Sequence, residues 1–556
     1  MKLIKNASFI ISFLAAAGIY FLLGTVAASA ANEDYPEQMI RLESSSGLNI
    51  TPAGNQDNAP LTAKQTSGEK EERWRLDTSD GKQFKIRNMD SGKIIIPAHY
   101  ALSDNNPAVV YYDNSRKEEL WNIIGADKDG NGDFITYKIV SAQNSSLALT
   151  LDGSGVKLAK YTGSSVQKWK LPSDGLEGFA GYARETNGKQ KTGTTGGLLG
   201  KVVYANNLGE LKANIEDSTP RTIVVSSNIG ASAKTVLTVG ANKTIIGSYE
   251  KHKLNNIYFK TKADSGNVIF KNLVIAHDAS INENNDIPVY ITDSRNYWID
   301  HVTFQGHSYT ANGHDLDKLL YVGAKADYVT LSHSTFTDHR YGLILGWPQD
   351  DKQYHSIYNG YPRMTISHNR FENLYVRAPG LMRYGYYHVK SNYINNYHLG
   401  FTITTLAKIY SEANYFGTGN EKGILDDYGD GAFKDVGSYP AIKGQKSPET
   451  SWTPSSNYSY RTMKAGNAKA FAKRYAGAQR TALYYVRITA SLKKTNQKSE
   501  RDIALTFQYL TMYQAADEAA LLYLSDCRCY RSPRLPFSFF RQEIAGREFC
   551  SAPRLY

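Results

Sequence analysis

Six stretches between Asn267 and Phe416 repeat one short pattern, and it restricts the folds open to this chain more than any other feature. Each is an apolar run, then an Asn, Ser or His, then a large apolar side chain. They cover 267–275, 297–304, 328–336, 364–371, 387–394 and 409–416. The closing residues Phe371, Ile394 and Phe416 stand 23 and 22 apart, and earlier spacings are longer, as where loops are inserted. A unit this short cannot bury a core alone, so it must stack on copies of itself, which predicts a parallel β-solenoid. Each rung would turn at an Asn or Ser whose side chain bonds to the next rung. Long insertions would then fall on one face and build a binding groove.

A different repeat fills 39–171. Arg41-Leu42, Lys85-Ile86 and Lys138-Ile139 each lead to a Ser/Gly or Asn/Ser turn, and each unit closes on a tryptophan. The closing triplets are Glu72-Arg73-Trp74, Glu119-Leu120-Trp121 and Gln167-Lys168-Trp169, with the tryptophans 47 and 48 apart. Three equal units of short strands must share one core. This resembles the ricin-type β-trefoil, whose mark is Q-x-W in each repeat; here two of the three Gln are Glu. The resemblance implies a carbohydrate-binding module over 36–172 with Trp74, Trp121 and Trp169 at its centre, separable from the solenoid region. Residues 127–133 (Asp-Lys-Asp-Gly-Asn-Gly-Asp) begin like a calcium loop, but the twelfth position is Lys138 where a bidentate Glu is needed, so a polar hairpin turn is expected.

The chain is 556 residues long, which suits two or three domains, and its net charge of +11 fits nucleic acid, an acidic surface or an acidic polymer as partner. The N-terminus chooses among these. Lys2 and Lys5 precede an apolar run from Phe9 to Val26, followed by Ala28-Ser29-Ala30. Residues 1–30 therefore read as a secretory signal peptide, which implies a secreted, extracellular protein with no membrane association after cleavage and no nucleic acid partner. The three cysteines, Cys527, Cys529 and Cys550, all lie in the last stretch, so buried core and not disulfides must stabilise the rest. From 486 to 556 the rung pattern stops and the composition turns Arg-rich; this tail is unassigned and has the look of a frameshift artefact.

Within 174–485 further motifs accumulate. Gly178-Phe179-Ala180 and Thr194-Thr195-Gly196-Gly197 open the region, and no G-K-[ST] follows to make a phosphate loop. Then come Trp298-Ile299-Asp300-His301, Asp327-Tyr328-Val329-Thr330-Leu331-Ser332, His368-Asn369, Arg377-Ala378-Pro379, Arg383-Tyr384-Gly385 and His388. Together these resemble the extracellular pectate and pectin lyases, polysaccharide lyase family 1. The resemblance implies an all-β chain, a right-handed parallel β-helix preceded by the β-trefoil, acting as a monomer on the pectin or polygalacturonan of plant cell walls. Such lyases remove the C5 proton of a galacturonate unit and expel the O4 glycosidic oxygen, which needs a base beside C5 and positive charge facing the carboxyl group. The resemblance carries the base to Arg377 and substrate contact to Arg383, where the gap between the two is one residue longer than usual.

The subtype rests on the same alignment. Pectate lyases act on the free carboxylate and usually bind calcium through several aspartates. Here Asp317 falls on one of these, Asp286 matches the upstream one, and Asp315 lies near enough to compensate. The next metal position falls on Tyr321, and the position of the charge-neutralising lysine falls on Tyr341. An ester carries no charge to neutralise, so replacing an acid and a lysine by tyrosines leans toward pectin lyase. Arg340, Tyr341, Tyr321 and Arg383 are then the expected substrate-binding residues, with Tyr321 and Tyr341 open equally as groove walls that stack on sugar rings or as packed core aromatics, and Asp317 open also as a solvated acid or a partner for Lys318 or Arg340. No cofactor is required in that reading; calcium enters if the enzyme is a pectate lyase. A catalytically silent lectin on a solenoid is the remaining alternative.

Overall fold

The computed structural model describes residues 33–281, 286–307 and 317–485. The expected signal peptide, the tail from 486 and Asp315 lie outside the described residues.

Residues 43–170 form one antiparallel system of twelve short strands. Trp74, Trp121 and Trp169 each open a strand, each is at most 1% exposed, and all three belong to one apolar core with Ile50, Ile86, Ile95 and Leu149. Buried indole N–H groups need acceptors. The three Nε1 atoms donate to the carbonyls of Ile50 (2.9 Å), Ile95 (3.0 Å) and Leu149 (3.1 Å), one equivalent position per repeat. The Glu/Gln two residues earlier has an equally uniform role. Side-chain oxygens of Glu72, Glu119 and Gln167 accept from the backbone N–H of Ser67, Asn114 and Thr162, five residues upstream in every case. Only the oxygen is common to the three positions, which is why Glu replaces Gln in two repeats. The buried Glu119 charge is met by Lys85, 3.3 Å away.

From Lys201 the pairing becomes parallel. Ten strands from Lys201–Ala205 to Ala432–Val436 lie side by side in sequence order. A second sheet of twelve strands takes the other two sides of each rung, and the long strands Thr335–Leu345 and Tyr393–Ile403 span two segments of it. One continuous core fills the interior, with Phe304, Phe336 and Phe371 stacked at 4.4 and 5.1 Å on successive rungs. The turn between the sheets repeats. His301, His333, His368, Ser391 and Ala413 all have φ between 47° and 60°, the left-handed region that reverses the chain within one residue. The next residue bonds across rungs: Asn369 Nδ2 donates to Asn392 Oδ1 (3.0 Å), and Asn392 Nδ2 to Asn414 Oδ1 (2.9 Å). Ser334 N in turn donates to Asn369 Oδ1 (2.8 Å). Past Val436 the rungs end, and the helix Ala465–Tyr475 returns along these turns, placing Phe471 against His333 and His368.

The trefoil is joined to the solenoid by polar contacts. Gln38 Nε2 donates to Thr195 O (2.6 Å) while its Oε1 accepts from Thr244 Oγ1 (2.9 Å), and Arg73 pairs with Asp174 (3.1 Å). The 127–133 loop is a hairpin, closed by Asp129 N to Asp133 O (2.8 Å). Its carboxylates bind protein groups: Asp133 takes Arg295 Nε (2.6 Å) and Asp129 takes Thr192 N (3.1 Å). The first segment of the solenoid domain packs as closely. A Cβ on Gly197 would lie 1.9 Å from Arg221 O, so only glycine fits there.

Asn392→Ala removes the acceptor of two N–H groups on Asn369 and should lower stability by about 2–4 kcal/mol. Asn396→Ala, on an exposed side chain bonded to Asn373, should change it by less than about 0.5 kcal/mol. Denaturant titration of the described fold compares the two.

Candidate active site

Strands of the second sheet alternate inward and outward. Leu320, Val322, Leu343, Leu345 and Met382 enter the solenoid core. Their neighbours Tyr290, Tyr321, Ile344 and Leu381 point the other way and pair in register on successive strands, Tyr290 with Tyr321, Tyr321 with Ile344, Ile344 with Leu381. They form a separate apolar cluster with Ile287, on the outside of the solenoid. The floor of this outer face is thus uncharged over its centre.

Arg377 stands at its edge. It follows the strand Arg370–Val376, has φ of +66°, and its carbonyl accepts from Leu343 N (3.2 Å). The approach is close enough that a Cβ on Gly342 would lie 2.2 Å from Arg377 O. The guanidinium sits 4.7 Å from the centre of the Tyr341 ring; Arg340 and Lys318 approach the same ring at 4.9 and 5.9 Å. Nη1 of Arg377 is buried without a hydrogen-bond partner, and no carboxylate of the described residues pairs with it. Burial lowers its pKa below the ordinary arginine value; Arg383 and Arg340 push the same way, against Tyr341 and Asp317. The structure therefore brings Arg377, Arg340, Arg383, Tyr341 and Asp317 into one electrostatic neighbourhood.

Arg383 is held by its own chain. Nε and Nη2 bond to the two oxygens of Asp350 at 2.6 and 3.1 Å, which keeps the Asp350 carboxyl low despite the upward push of burial. Nη1 of Arg383 remains buried and unpartnered. Tyr321 takes the packed alternative of its two sequence readings. It is 3% exposed, its ring lies 4.4 Å from Tyr290, and it packs with Ile287, Ile344 and Leu381, so it is packed into the apolar floor and is not a free stacking wall. The aromatics that the sequence reading missed leave the same strand at Gly346: Trp347 stacks on Tyr358 at 4.3 Å, with Tyr354 and Tyr384 beside them. The i, i+4 spacing of Tyr354 and Tyr358 beyond Trp347 was the available signal.

Asp286 and Asp317 adjoin. Asp286 Oδ1 accepts from Asp317 N (2.9 Å), and Oδ2 is buried without a partner. Burial first and the Asp317 charge second raise the Asp286 pKa to about 7. Asp317 is ion-paired to Lys318, and its carbonyl accepts from His339 Nε2 (2.7 Å). Calcium wants six to eight oxygens, mostly carboxylate. Two adjacent carboxylates, one already neutralised by a lysine, do not make that set among the described residues. The one three-ligand group among those residues, Asp300, His301 and His333, lies on the other sheet, where Asp300 is bonded to both imidazoles and to Ser332 and Tyr485. The W-I-D-H motif is thus a buried joint away from Arg377.

Comparison with known proteins agrees with this geometry. Residues 172–481 match the family model described as pectate lyase, and residues 70–169 match that of the ricin-type beta-trefoil lectin domain-like family. A pectin lyase of Bacillus subtilis is 57% identical over 314 residues, 56% of this chain and 90% of that protein. A pectin lyase of Pseudomonas marginalis is 50% identical over 315 residues, 56% of this chain and 98% of that protein. Pectate lyase plyB of Emericella nidulans is 33% identical over 204 residues, 37% of this chain and 59% of that protein.

A raised acid pKa means that the native state takes up a proton that the unfolded chain has already lost. Stability from this group is present at low pH and falls as pH rises from the unfolded aspartate value through about 7. With chelator present, the melting temperature of Asp286→Asn should match that of the parent near pH 4 and exceed it at pH 8. Equal melting temperatures at both values would refute the assignment.

Proposed function

The chain belongs to the pectate lyase family, and we propose that within it the enzyme is a pectin lyase, secreted and acting as a monomer, that cleaves α-1,4-linked methyl-esterified galacturonan by β-elimination. The single observation that carries the subtype is the uncharged floor of Tyr290, Tyr321, Ile344 and Leu381 beside an arginine that pairs with no acid of the described residues. The stronger likeness to proteins named pectin lyase than to one named pectate lyase points the same way. A methyl ester has no charge for calcium to offset, so the reaction needs no metal.

Arg377 is the base. Its ordinary pKa forbids the neutral form at physiological pH. Desolvation and two neighbouring cations favour loss of a proton, and the unpartnered Nη1 leaves a nitrogen free to take one. The C5 proton passes to this nitrogen, the C5–H electrons form the C4–C5 double bond, and the C4–O4 bond breaks with its electron pair to O4, which takes a proton from solvent water to become the hydroxyl of the departing fragment, leaving a 4,5-unsaturated end. Charge developing on the ester oxygens meets donors already in place, of which Nη1 of Arg383 is free while Asp350 fixes the remainder of that guanidinium. Arg340 and Tyr341 shape the edge on which Arg377 rests. The trefoil holds the enzyme on cell-wall polysaccharide.

One observation favours a second reading. The orphaned Asp286 Oδ2 beside Asp317 is half of a cation site, which a calcium-dependent pectate lyase would complete.

Arg377→Ala should lower formation of the unsaturated product by about a thousandfold while polymer binding persists. Near-full turnover would remove the base assignment. Turnover should rise with ester content and resist EDTA. Preference for ester-free polygalacturonate with loss of activity in EDTA would establish the pectate lyase reading.

A further inference from the structure

The seam between trefoil and solenoid contains a cavity that the catalytic reading leaves unused. Its volume is about 490 Å³, and Asn131, Glu185, Arg295, Lys325, Tyr361 and Arg363 are among its lining residues. That size falls in the range of about 300–1,000 Å³ usual for small-molecule sites. The cavity lies near the proposed active groove. The strands bearing Tyr290 and Tyr321 end in turns that supply Ser294 and Lys325, four residues on in each case.

Its charges are unevenly satisfied. Glu185 is met by amides, Asn131 Nδ2 at 3.2 Å and Asn187 Nδ2 at 3.4 Å, and it draws on no cation. Asp327 is buried and bound by Arg363. Arg295 is fixed by Asp133 Oδ2 (2.6 Å) and Asn131 O (2.8 Å), both from the trefoil hairpin, and its Nη1 has no partner among the described residues. Lys325 is exposed on its turn and likewise unpaired among those residues. Tyr361, half-buried, has the Arg363 guanidinium 5.9 Å from its ring centre. The cavity thus offers the Lys325 ammonium, the remaining Nη1 of an Arg295 already paired to Asp133, and an aromatic ring, a set suited to a sugar that carries a carboxylate, with Glu185 turned to the amides of Asn131 and Asn187.

We propose that this cavity is an accessory binding site for ester-free galacturonate units of the polymer, with the carboxylate held by Lys325 and Arg295 and the sugar ring against Tyr361. The inference rests on the pectin lyase reading for the identity of the polymer. Pectin carries free acid units among its esters, and an apolar catalytic floor gives those units no counter-charge. A cationic site close by retains the polymer through the segments that the groove does not hold. The trefoil contributes by orienting Arg295 through Asp133.

The test uses the full chain carrying Arg377→Ala, titrated calorimetrically with ester-free trigalacturonate and, as a neutral control, a galactose trisaccharide. The acid trimer should bind saturably and the neutral one should not. Lys325→Glu should weaken the acid trimer by about tenfold or more, and Lys325→Gln by less. Arg383→Ala should leave this binding unchanged, whereas its loss there would move the trimer to the groove and overturn the proposal. Equal affinity in Lys325→Glu would overturn it as well. In the chain that keeps Arg377, Lys325→Glu should leave turnover of fully esterified pectin within about twofold. If esterified pectin is not cleaved at all yet trimer binding still depends on Lys325, the assigned reaction fails and the acid-sugar site stands.

Discussion

Every feature of the larger body depends on one constraint, the parallel pairing of each rung with the next at a fixed strand spacing of about 4.8 Å. Parallel strands need a crossover each time, and here the crossover is the other two sides of the same coil. The Asn369, Asn392 and Asn414 side chains continue the hydrogen bonding through a turn where backbone pairing alone would lapse. Because the register is held on every rung, alternation puts Leu343 and Met382 inside and Ile344 and Leu381 outside over several strands without a slip. The groove floor is the other side of the core.

That regularity explains how the proposed base is placed. Arg377 is not on a strand but just past one, in a left-handed turn whose carbonyl is bonded to Leu343 and accommodated by Gly342. The rung fixes its backbone while its side chain rests on the Tyr341 ring among other cations. Cation–π contact holds the guanidinium, and no carboxylate of the described residues pairs with it. A carboxylate partner would have stabilised the protonated form and removed the base. Arg383 shows the contrast: two bonds to Asp350 keep it charged and fixed, suited to stabilising negative charge.

The smaller body shows how a motif tolerates substitution when its chemistry is understood atom by atom. The Q-x-W position requires an acceptor for a backbone N–H five residues upstream, and a carboxylate meets that requirement once Lys85 offsets the Glu119 charge. The calcium-like loop likewise spends its carboxylates on Arg295 and Thr192. The joint and the cavity beside it result from that use.

Much of this was legible in the residues alone. Period and turn chemistry announced the solenoid, because stacking forces the same residue type to recur at the same point of each coil. The tryptophan spacing announced the trefoil for the same reason. Side-chain neighbours across long separations were not legible. That Asp350 would claim Arg383 and that Asp133 would grip Arg295 both depend on which faces meet after folding. A linear pattern determines what must recur and what must be buried. The pairing of charges is decided by distances between rungs and between domains, and those exist only once the chain has closed on itself.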